Sequence, residues 1–150
     1  MTEQNSRETL DEYNRIFKEN DEIYREAAKR LGLSDCAFWI LYAVRSAEAV
    51  LTQSDLCYSQ YQPKQTINSA LKKLEREGYL SLRCKDDRRS KQIYLTEKGI
   101  DLAKNTVDKV IFAEVDALSG LTTAEQREFL TLFRKYTDCL KEKILNNMLS

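Results

Sequence analysis

Histidine is absent from this chain, and with it go Ser-His-Asp and Cys-His catalysis and the common His-bearing zinc sites. The four cysteines, Cys36, Cys57, Cys84 and Cys139, form no CxxC pair. Neither a zinc knuckle nor a thioredoxin-like motif is present, and reduced thiols are expected. Cys36 falls at a predicted helix start, where the helix dipole could lower its pKa. It is the candidate redox-sensing thiol, the alternative being a small buried hydrophobe. Carboxylates are scattered over predicted solvent faces, and neither a Gly-rich phosphate loop nor a nucleophile elbow occurs. The chain therefore reads as a non-enzyme with no catalytic residue, metal site or cofactor.

The remaining chemistry is electrostatic. Lys plus Arg and Asp plus Glu each number 24, so the net charge is zero and only the distribution is informative. From Pro63 to Ile93 the basic residues are Lys64, Lys72, Lys73, Arg76, Arg83, Lys85, Arg88, Arg89 and Lys91, against acidic Glu75, Glu77, Asp86 and Asp87. That segment carries roughly +5 and the rest of the chain about −5. A basic patch on an otherwise acidic molecule is the electrostatic footprint of a nucleic-acid reader, or else a solvated charged face.

The elements that must position this patch follow from hydrophobic periodicity. With 150 residues, 42% of them hydrophobic, one Pro and four Gly, the chain fits a single, mostly helical domain over 1–150. Leu10, Tyr13, Phe17, Tyr24, Ala27, Ala28 and Leu31 recur at helical spacing from about Glu8 to Arg30, and Gly32 stops the helix. Ser34 or Asp35 can cap a second helix through Phe38-Trp39-Ile40-Leu41-Tyr42-Ala43-Val44, apolar nearly all round and so buried centrally. Thr52-Gln-Ser-Asp55 resembles a capping box opening a short helix to about Tyr58. After a turn at 59–62, Pro63 suits the first position of a helix with Ile67, Ala70, Leu71 and Leu74 on one stripe, ended by Gly78. Its opposite face presents Gln65, Thr66, Asn68, Ser69, Lys72 and Lys73. Next, Leu80, Leu82 and Cys84 alternate with polar neighbours, as do Ile93 and Leu95, giving a hairpin whose tip is the charged segment 85–91. Thr96 can cap a single helix extending to about Ser119. Thr122-Thr-Ala-Glu125 is a capping box for a last long helix with Phe129, Leu132, Phe133, Tyr136, Leu140 and Ile144 on its stripe. The order is mainly α with a small β-hairpin wing: a winged helix-turn-helix flanked by amphipathic terminal helices that could pair with those of a second chain.

The stretch from Thr52 to Gly99 closely resembles the winged-helix region of the MarR family of bacterial transcriptional regulators. Residues 63–79 are similar to that family's recognition helix, including its Leu-Glu-x-x-Gly ending. Asp87-Arg-Arg89 is similar to its Asp-x-Arg wing motif, and Leu95-Thr-Glu-Lys-Gly99 to the junction into its dimerisation helix. The resemblance implies a homodimer with recognition helices in consecutive major grooves of double-stranded DNA and wings reaching the flanking minor grooves. It divides the chain into dimerisation helices at 1–34 and 100–150 and a DNA-binding region at 35–99. Arg89 then becomes the minor-groove residue and Asp87 a support for the wing, as a narrow groove of concentrated negative potential favours an inserted Arg over a carboxylate.

The expected function is a sequence-specific DNA-binding regulator, a cytoplasmic dimeric repressor of a pseudo-palindromic operator. On the helix, Gln65, Thr66, Asn68 and Ser69 would approach base edges while Lys64, Lys72 and Lys73 meet phosphates; Arg88 and Lys91 add charge to the wing. Family members commonly hold a small-molecule effector between the dimerisation helices and the winged helix, where Tyr13, Phe17, Phe38, Trp39 and Tyr42 could line a pocket or simply form core. Two alternatives are a thiol-based redox regulator acting through Cys36 and a winged helix used for protein contact. No run of residues approaches a membrane span.

Overall fold

The computed structural model describes residues 2–60, 62–84 and 90–148. They form α1 (Glu3–Arg30), α2 (Asp35–Ser46), α3 (Gln53–Ser59), α4 (Lys64–Arg76), β1 (Leu80–Arg83), β2 (Gln92–Leu95), α5 (Glu97–Asn105), α6 (Val107–Leu118) and α7 (Thr123–Lys141), which runs on into a π-helical turn, Glu142–Met148. The predicted winged helix-turn-helix order is present, with the terminal helices before and after it in the chain. Two compact units are distinguished, Met1–Ile111 and Phe112–Ser150.

In the first unit α2 is central because its sequence is apolar on every side. One face sends Ile40 into a cluster with Leu56 of α3, Ile67, Leu71 and Leu74 of α4, Leu80 of β1 and Ile93 of β2. The other sends Phe38 and Leu41 against Ala28 of α1, Ala103 of α5 and Val107 of α6. Truncating any of the large buried residues to Ala is worth about 2–5 kcal/mol, so α2 joins α3, α4 and the hairpin on one side to α1, α5 and the start of α6 on the other.

Local chemistry sets the boundaries. Ser34 Oγ accepts from the Ala37 amide at 3.2 Å, and Thr52 forms a reciprocal capping box with Asp55. Gly78 ends α4 at a φ of +83° that an L side chain rarely adopts. β1 and β2 pair antiparallel with Leu80 opposite Leu95 and Arg83 opposite Gln92. Helix α1 starts earlier than the predicted Glu8, since its first turns are exposed helix-favouring polar residues that leave no periodic signal.

The single helix expected from Thr96 to about Ser119 is two. The break falls at Thr106, which has φ −128° and ψ −92° and is 5% exposed. Its hydroxyl donates to the Leu102 carbonyl at 2.7 Å, the kind of side-chain competition that bends helices. Just beyond, Arg45 of α2 grips Asp108 with Nε to Oδ1 at 2.8 Å and a second guanidinium nitrogen to Oδ2 at 2.5 Å.

In the second unit Thr122 and Glu125 complete the predicted capping box of α7, and Gln126 Nε2 donates to the Leu118 and Leu121 carbonyls at 3.0 Å. No described residue of α7 or the following turn is buried in the single chain.

Candidate nucleic-acid interface

Helix α4 is held by its apolar stripe, which leaves Lys64, Gln65, Thr66, Ser69, Lys72 and Lys73 exposed, as the sequence anticipated. Asn68 differs: it is half-buried, and its Oδ1 is shielded with no hydrogen-bond partner among the described residues. Pro63 lies one residue outside the helix, at the N-cap with ψ 137°, rather than at the first helical position. Its carbonyl accepts from the Thr66 and Ile67 amides at 3.0 and 3.2 Å. It offers no capping side chain, so no side chain caps the positive end of the α4 dipole.

Hydrogen bonds from α4 and from the start of α3 set the hairpin in place, and sequence periodicity carried no signal for them. Glu75 of α4 reaches over to accept from the Leu82 amide at 3.0 Å. Ser54 of α3 donates through its hydroxyl to Ser90 Oγ at 2.8 Å, and its amide donates to the same oxygen at 3.1 Å. The Gln53 amide donates to the Lys91 carbonyl and the Ile93 amide to the Leu51 carbonyl, each at 2.9 Å, so the start of α3 bridges to β2. At the other end of the hairpin, Thr96 Oγ1 donates to the Gly78 carbonyl at 2.5 Å, and Lys98 donates to the Glu77 carbonyl while lying 4.5 Å from the Tyr79 ring. Lys91 is exposed; Asp87, Arg88 and Arg89 lie outside the described residues.

The residues assigned to an effector pocket are brought together in part. Trp39 packs at 5.0 Å from Phe38, 5.3 Å from Tyr42 and 5.2 Å from Tyr24, a residue the sequence placed only in a helix stripe. Phe38 is fully buried core. Phe17 is 63% exposed and stacks on Tyr13. An open cleft of about 450 Å³ is lined by Trp39, Tyr42, Ala43, Ser59, Gln60 and Gln62, a size within the range of small-molecule sites. Cys36 is half-buried, and burial pushes its thiol pKa up. That is opposite to the shift a sensing thiolate needs.

The sequence matches the MarR family model over residues 31–90. Solved structures agree on the fold. A MarR family regulator from Neisseria meningitidis superposes with TM-score 0.75 at 18% identity, over 93% of this chain and 98% of that one. A MarR family regulator from Listeria monocytogenes complexed with a 26mer DNA gives TM-score 0.66 at 23% identity, over 91% of each chain. BpsR of Bordetella bronchiseptica, whose DNA binding is regulated by 6-hydroxynicotinic acid, gives 0.62 at 20% identity, over 87% and 98%. No curated protein matches in sequence. Among the described residues no helix is long and apolar enough to cross a membrane.

Proposed function

We propose, on the match of residues 31–90 to the MarR family model, that this protein is a dimeric, sequence-specific repressor of transcription acting on double-stranded DNA in the cytoplasm. The observation that carries the reading is the exposed face of α4, where Gln65, Thr66 and Ser69 stand between Lys64 and the pair Lys72 and Lys73. Uncharged hydrogen-bonding groups flanked by cations suit base edges flanked by phosphates. An interface core for a protein partner would instead favour aromatic or aliphatic anchors, and this face has none. Asp87, Arg88, Arg89 and Lys91 complete the interface from the wing, with Arg89 entering the minor groove. Asn68 joins it when its amide turns outward, which would relieve the unpartnered oxygen.

Apolar side chains left exposed in each unit, Ile16 and Ile23 on α1 and Phe112, Val115, Phe129 and Phe133 on α6 and α7, support the homodimer, because exposed large apolar side chains in such number mark partner sites. The helices of 1–34 and 100–150 supply it, leaving 35–99 to the DNA. The cleft beside Trp39 and Tyr42 is the place for an effector. Its lining also includes Ser59, Gln60 and Gln62, which precede α4 in the chain.

Selection of duplexes from a randomised library, followed by anisotropy titration, tests the reading. The expected product is an inverted repeat with half-site centres about 10 bp apart, bound at least a thousandfold or so more tightly than a scrambled duplex. Recovery of no enriched sequence, with equal weak binding to every duplex, would overturn it.

A further inference from the structure

The two-stranded hairpin has an inner and an outer face. Leu80, Leu82, Ile93 and Leu95 turn toward the core, so the alternation of side chains puts Ser81, Arg83, Gln92 and Tyr94 on the outer face. Arg83 and Gln92 form the last rung of the ladder before the chain opens into the wing. There the guanidinium of Arg83 lies over the Tyr94 ring, 4.5 Å from its centroid, and Nε donates to Ser81 Oγ at 3.3 Å. Tyr94 is itself steadied by donating to Gln92 Oε1 at 3.0 Å. Arg15, Arg25, Arg30, Arg45 and Arg134 each pair with a carboxylate. Arg83 makes no such pair among the described residues, and its side chain is exposed.

We propose that Arg83, held over the Tyr94 ring at the root of the wing, is a phosphate anchor for the DNA that α4 and the wing grip. The inference rests on the reading of this protein as a DNA binder. With its carbon over the ring and Nε tied to Ser81, the guanidinium keeps its two terminal nitrogens for the fork onto phosphate oxygens. A flexible side chain loses rotamer freedom when it binds; one already laid on a ring and tied through Nε has lost part of it beforehand. Among the described residues of the outer face, Ser81, Gln92 and Tyr94 are uncharged and none competes with phosphate for the guanidinium. No base edge is needed, and the contact therefore adds affinity without sequence preference and fixes the angle at which the wing meets the backbone.

The test titrates the library-selected duplex with wild type, Arg83→Ala, Arg83→Lys and Tyr94→Leu by anisotropy across a salt series, with thermal melting of each free protein as the folding control. Arg83→Ala is expected to bind about tenfold more weakly and to flatten the dependence of log K on log salt by about 1, equally for selected and scrambled duplexes. Arg83→Lys should keep the slope and lose part of the affinity, because a point charge remains without its fork. Tyr94→Leu should also keep the slope while weakening binding several-fold, separating preorganisation from charge. An Arg83→Ala protein with wild-type affinity and slope overturns the anchor while leaving the DNA reading intact, as does one whose melting temperature falls with no change in binding. A wild type that binds no duplex overturns both.

Discussion

Gly99 shows how much one hydrogen can decide. A Cβ built there would lie 1.8 Å from the Tyr79 carbonyl oxygen and 3.2 Å from Leu95 Cδ2. That carbonyl also accepts from the Thr96 amide at 3.1 Å, so the end of α4 and the start of α5 are drawn together until only glycine fits. Gly99→Ala is expected to destabilise the fold by about 3 kcal/mol or more, read as a shifted urea midpoint; an unchanged midpoint would mean that the Tyr79 backbone yields freely. Thiol chemistry sorts by surroundings in the same way. Cys84 and Cys139 are exposed, whereas Cys36 is half-buried with its pKa pushed up by desolvation. In timed alkylation followed by mass spectrometry, the exposed pair should be labelled well before Cys36. First labelling at Cys36 would revive it as a reactive thiolate.

At the level of elements, the joint between α5 and α6 is fastened to α2 by Arg45 and Asp108. The guanidinium beside Asp108 holds its carboxyl below the ordinary carboxylate value. Stability from the pair is therefore present above the unfolded pKa of about 3.9 and is lost as pH falls through the depressed folded value. Both side chains are 29% exposed, so water screens the pair and its worth is about 1 kcal/mol. Asp108→Asn should lower the urea midpoint at pH 7, with the gap to wild type closing on acidification below pH 4 or so; a gap that does not depend on pH would assign the loss to packing instead. The caps at Ser34, Thr52, Thr96 and Thr122 were legible in the sequence because each is local, a side chain serving an amide three residues on. The break at Thr106 was not, since apolar spacing runs through it unaltered while the hydroxyl donates to the Leu102 carbonyl one turn back. Cross-strand partners such as Arg83 with Tyr94, and ties such as Ser54 with Ser90, depend on register and on tertiary placement, which periodicity along one strand does not encode. The face of α4 was legible because its stripe of Ile67, Leu71 and Leu74 dictates which residues must point outward; Asn68, at the margin of that stripe, is where the rule loses its grip.

For the whole molecule, the exposed apolar side chains of α6 and α7 bear on assembly. Phe112 is 75% exposed, and Phe129 and Phe133 stack at 5.9 Å while both remain exposed. In the proposed dimer, replacing Phe112 and Phe133 together with Glu should shift sedimentation from dimer to monomer and leave only weak binding to single half-sites. A double variant that stays dimeric would place the interface elsewhere. Because α7 has no buried residue of its own, a lone chain must display these rings to whatever surrounds it. In a cell such a chain is prey for chaperones and proteases, which act on the unassembled fraction. If the chain pairs as proposed, its abundance would then be policed through that pairing: chains made in excess of partners are cleared, and copy number falls more steeply than synthesis when expression slackens.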